Sequence, residues 1–72
     1  MDKEKIYQHV ESMITSSTKN PKYMSVSPVK MADLYGADPA EIEKNINELV
    51  QEGRLVKTNL PEIPNYEVYM LP

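Results

Sequence analysis

Lys44, Asn47 and Gln51 are the residues of this 72-residue chain whose types and spacing best suit a chemical task. At helical spacing they share one side of a helix, opposite Ile42, Ile46 and Leu49. Asn and Gln amides pair bidentately with adenine, and a Lys ammonium reaches guanine or a phosphate. The same segment carries an opposing charge. Between Asp38 and Gly53 stand Asp38, Glu41, Glu43, Glu48 and Glu52 against Lys44 alone, and carboxylates beside a phosphate backbone are repelled. Asp38 and Glu41 sit where a helix N-terminus favours negative charge, but Glu48 does not. The plain alternative is that these carboxylates only solvate an exposed helix face.

Other chemistries find little support. The chain has no cysteine, which excludes disulfides, thiolate zinc sites and cysteine nucleophiles. His9 is the only histidine and borders an apolar stripe, whereas a metal site needs more nitrogen or sulfur ligands. Gly36 and Gly53 are the only glycines, and both read as helix stops, so no phosphate-cradling loop is expected. Glu41 and Glu48 lie two turns apart on one face, yet paired catalytic carboxylates need a cleft that a chain this small rarely offers. No nucleophile has a matched base. The five tyrosines read as core-edge aromatics with wet hydroxyls. The expectation is a protein that is not an enzyme and holds neither metal nor cofactor.

The elements that must position these residues are well punctuated. A first helix is expected over Lys3–Thr15, capped by Asp2, with Ile6, Val10, Met13 and Ile14 as one apolar stripe. Pro21 prevents it from continuing through the polar loop that follows. Tyr23–Val26 is a short strand candidate. A second helix is expected over Pro28–Tyr35. Ser27 caps it, Pro28 fits its first position, Gly36 ends it, and Val29 or Met31, Ala32, Leu34 and Tyr35 form its buried side. The third opens on Asp38-Pro39-Ala40-Glu41, a capping-box pattern, and stops at Gly53. The link between the two is about three residues, as a helix-turn-helix requires. The period then turns extended. Arg54–Lys57 and Tyr66–Leu71 read as strands, with Tyr66, Val68 and Met70 on one face. Thr58–Asn65, carrying Pro61 and Pro64, reads as the hairpin tip.

Composition sets the remaining bounds. An apolar fraction of 40% and a charged fraction of 26% suit one globular domain over residues 1–72. The N-terminus leads into an amphipathic pattern, so neither a signal peptide nor a membrane span is expected, and a cytoplasmic protein is the default. The net charge of −3 and pI near 5.0 run against the basic balance that free-standing nucleic-acid binders usually carry.

The element order α, short β, α, α, β, β resembles the winged helix-turn-helix. The fold class is therefore expected to be α+β, three helices with a small antiparallel hairpin wing. More narrowly, the chain resembles the N-terminal DNA-binding domains of LexA-type repressors. The likeness rests on Ile6–Ile14, on Ser27-Pro28-Val29-Lys30-Met31-Ala32 and on Ile42–Leu55, whose end is Glu52-Gly53-Arg54-Leu55. LexA-like proteins also carry a self-cleaving domain, which has no counterpart in these residues.

The resemblance implies a small bacterial or phage-type regulator that binds double-stranded DNA, with a homodimer as an open arrangement. It puts Lys44, Asn47 and Gln51 against the bases, and Lys19, Lys22, Lys30, Arg54 and Lys57 beside the phosphates. The wing tip fits DNA poorly, because it brings Leu60, Glu62 and Ile63 where Arg or Lys would be expected. The competing expectation is a protein-interaction module that uses Glu48, Leu60 and Ile63 and binds no DNA.

Overall fold

In a computed structural model, residues 2–18, 22–60 and 62–72 are described, with the backbone alone at 63–65. Three helices, α1 (Lys3–Thr15), α2 (Pro28–Tyr35) and α3 (Pro39–Gln51), precede two strands, β1 (Val56–Leu60) and β2 (Ile63–Met70). The fold is α+β, in a winged-helix-like layout.

Each helix begins on the side chain expected to cap it. Asp2 Oδ1 accepts from the Glu4 N–H at 3.0 Å, Ser27 Oγ from Lys30 at 3.3 Å, and Asp38 Oδ1 from Ala40 at 2.9 Å. These bonds satisfy N–H groups that have no partner inside the helix. Gly36, at φ +65°, turns the chain into the left-handed region and ends α2. Three residues, Gly36, Ala37 and Asp38, then suffice to reach α3.

The core is one cluster of Ile6, Val10 and Ile14 from α1, Met31 and Ala32 from α2, Ile42, Ile46 and Leu49 from α3, and Leu55. The helical stripes of α1 and α3 therefore converge as their spacing predicts, with Met13 only half-buried at the edge. On α2 the expectation differs from what is found. Val29, Leu34 and Tyr35 are exposed, leaving Met31 and Ala32 as the inward residues. A helix of barely two turns presents a single line to the core, and those two residues occupy it.

The hairpin starts later than the sequence suggests. The N–H groups of Arg54 and Leu55 both point back to the Leu49 carbonyl, at 2.9 and 3.3 Å. They close the end of α3, so the ladder opens at Val56↔Met70. It continues to Asn59↔Glu67, and after an irregularity pairs Leu60 with Ile63. Pro64, Asn65 and Tyr66 lie between those last two pairings without a counterpart on β1. The N–H that Pro64 lacks is thus not needed by a ladder partner.

The Tyr23–Val26 strand candidate is reduced to one antiparallel bridge, Met24↔Tyr69. Met24 N–H donates to the Tyr69 carbonyl at 3.0 Å and receives the reciprocal bond at 2.8 Å. β2 is thereby flanked on both edges. Among the described residues, no helix is long and apolar enough to cross a membrane.

Candidate nucleic-acid interface

α3 is anchored by Ile42, Ile46 and Leu49, and its opposite side is left to solvent. Ala40, Lys44, Asn47 and Gln51 are exposed there and line one shallow depression together with Glu43 and Glu48. The three residues singled out for base contact are therefore brought together. No ion pair engages Lys44 among the described residues.

The carboxylates of α3 are distributed unevenly around this strip. Lys3 of α1 reaches across to α3, where its ammonium lies 3.6 Å from Glu48 Oε1 and pairs closely with Glu52. The hydrogen bond to Glu52 is the main reason the Lys3 pKa rises above its ordinary value. Glu48 and Glu52 are thus held to the α1 side. Glu43 sits on the other edge, facing a groove between α3 and the hairpin that Asn47, Lys57, Glu67 and Tyr69 also line. Burial and, second to it, the nearby Glu43 charge push the Tyr69 phenol above its usual value.

The cations assigned to phosphates occupy separate settings. Lys22 donates to the carbonyls of Thr15 and Ser17, at 3.0 and 2.8 Å, and so closes the end of α1. Lys30 is exposed beside the groove between α1 and α2. Lys57 pairs with Glu67 across the hairpin at 2.7 Å. Arg54 grips Glu4 through both terminal nitrogens, at 2.8 and 2.5 Å, and stacks over Tyr7. That grip raises the Arg54 pKa and lowers that of Glu4. Lys19 lies outside the described residues.

For the competing contact set, Glu48 is the partner of Lys3, Leu60 is half-buried, and the Ile63 side chain lies outside the described residues. The apolar exposure on the hairpin falls elsewhere, on Val56 and Tyr66, about two-fifths exposed each at 40% and 43%. Strand alternation does not signal the exposure of Tyr66, since it groups that residue with buried Val68; Tyr66 lies beyond the last regular pairing, Asn59↔Glu67.

Sequence reasoning gives no sign of the Lys3 clamp, because its partners are 45 and more residues away in the chain. Nor does it find the contact between α1 and α2, where Tyr35 Oη and His9 Nδ1 are 2.8 Å apart with their rings edge to face. Among the described residues, no three His, Cys, Asp or Glu side chains gather as metal ligands do.

Comparison of the chain with protein-family models, with curated proteins and with solved structures finds no match to any of them.

Proposed function

We propose that this chain is a small DNA-binding protein of the transcriptional-regulator kind, bacterial or phage in type, which lays α3 in the major groove. The observation that carries the reading is the exposed strip of Ala40, Lys44, Asn47 and Gln51, with Glu48 and Glu52 drawn aside onto Lys3. That arrangement eases the strongest objection from the sequence, since Lys3 offsets the charge of two α3 carboxylates, leaving Glu43 and the Lys3-paired Glu48 along the strip. Lys44 supplies an ammonium with no ion-pair partner among the described residues, while Asn47 and Gln51 supply amides able to read adenine. Lys22, Lys30 and Lys57 serve the phosphates. Arg54 acts as a strut between the wing root and α1. The likeness to LexA-type domains supports the same conclusion. Binding is the activity proposed, with no reaction and no cofactor.

Fluorescence anisotropy with a mixed-sequence duplex, between about 50 and 200 mM salt, tests this directly. The expected result is micromolar affinity that falls steeply as salt rises. Absence of binding at the lowest salt overturns the reading.

One observation favours a second reading, in which the domain binds a protein. Arg54 and Lys57 are already ion-paired, and Val56 and Tyr66 leave apolar surface on the hairpin. Val56 and Tyr66 would then belong to the contact surface, and duplex binding would be absent at every salt concentration.

A further inference from the structure

The carboxylates of this chain avoid one part of its surface. Between α1 and α2 runs an open groove of about 260 Å³, whose lining includes His9, Met13, Val26, Lys30, Met31 and Leu34. None of the 11 acidic residues of the chain lines it. Its one full cation, Lys30, is exposed and has no ion-pair partner among the described residues. The floor is apolar and adaptable, because methionine fills irregular space with a polarizable, unbranched side chain. Leu34 stands 66% exposed at its edge, the most exposed large hydrophobic residue of the described chain. An apolar trough with one unpaired ammonium at its rim, and no carboxylate, matches a ligand with an aliphatic tail and one negative end. The volume lies just below the usual range of small-molecule sites, which suits a short chain better than a long one.

We infer that the groove between α1 and α2 binds a medium-chain aliphatic monocarboxylate, its tail across Met13, Met31 and Leu34 and its head on Lys30. The groove lies apart from the exposed face of α3 and shares only Lys30 with the phosphate contacts proposed above. His9 forms part of the wall and is held in place by Tyr35. Besides His9 and Lys30, the polar lining is the two hydroxyls of Ser25 and Ser27, which can donate to a carboxylate without opposing it.

Methyl-labelled methionine NMR provides the test, with octanoate as the probe and the full chain as the sample. Octanoate should shift the Met13 and Met31 methyl signals saturably and leave Met70, on β2, unmoved. Octylammonium should bind at least about threefold more weakly, as expected for one exposed charge contact. Shortening the probe to hexanoate should cost roughly two- to fourfold for each methylene removed. Lys30→Glu should abolish the preference for octanoate over octylammonium, whereas Lys22→Ala should leave it intact. Leu34→Ser should weaken the tail contact in the same spectra. All three altered side chains are exposed, so an unchanged amide spectrum elsewhere verifies the fold. Equal affinity for the two head groups, shifts that include Met70, or no saturable shift overturns the assignment. No DNA enters this measurement, so its failure and that of the DNA-binding reading are separately visible.

Discussion

Arg54 holds its guanidinium 4.0 Å from the centroid of the Tyr7 ring, at the point where α3 gives way to the wing. The contact joins the start of the hairpin to the first helix. Glu4, one turn before Tyr7, closes the arrangement by taking two nitrogens of the same guanidinium. A planar guanidinium stacks its face on the ring while its edge presents a bidentate fork to the carboxylate, a geometry that an ammonium does not offer.

The pH dependence of stability follows from this contact. Arg54 holds the Glu4 carboxyl below its usual range, chiefly through the hydrogen bond between them. Its contribution is therefore complete above the unfolded-state value and is lost as the pH falls through the lower folded-state value. Glu4→Gln should lower the urea midpoint near neutrality and flatten its decline into acid. Parallel midpoint curves for the two proteins would remove Glu4 from the account.

Leu49 carries more of the fold than any exposed residue. It is fully buried, and its carbonyl also receives the Arg54 and Leu55 N–H groups. Leu49→Ala should cost about 2–5 kcal/mol, the usual range for a leucine cavity. Chemical denaturation would check it, and a loss under 1 kcal/mol would mean the site collapses around the gap.

Gly36 should be sensitive for a reason unrelated to space. A Cβ built there meets nothing within 4 Å, yet the backbone stands at φ +65°. Gly36→Ala should therefore cost about 1 kcal/mol from backbone strain alone. A thermal melt that matches the parent protein would show that this turn relaxes freely.

Two substitutions divide base reading from charge balance on α3. Asn47→Ala should relax preference at one base position, by about 1–3 kcal/mol, and leave general affinity nearly intact. Lys3→Ala touches no base, but it releases Glu48 and Glu52 from their common partner. It should weaken binding to every duplex alike, in anisotropy measured at low salt. If Lys3→Ala binds as tightly as the parent, the clamp has no part in the interface.

The helices were legible in the sequence because their signals are local. Each cap precedes its apolar stripe by a fixed interval, and Gly36 marks a turn that only positive φ can make. The expected span of each helix matches closely for that reason. The wing was read less well. Leu55 continues an apolar run and looks like strand, but its N–H is already bound to Leu49. Pro64 reads as loop, although it falls within β2 where the register is irregular.

The site shows the same division. Helical spacing alone puts Lys44, Asn47 and Gln51 on one face. Charge counting, in contrast, registers Glu48 and Glu52 as unrelieved, because the cation that meets them comes from the far end of the chain. Arg54 likewise reads as a free surface cation until the fold returns α1 to it.

The bridge between Met24 and Tyr69 has a consequence for how copies of this chain meet one another. Beyond Tyr69, the outer edge of β2 has no strand beside it among the described residues. An open edge of that kind is a template on which a neighbouring chain can add a strand. Here the two hydrogen bonds of Met24 occupy its regular part, and Pro64 interrupts the donors toward the tip. Glu67 places a charge between those two points. Met24, brought from a distant loop, thereby caps the outer edge of β2 at Tyr69, and Pro64 and Glu67 blunt the stretch of that edge toward the tip.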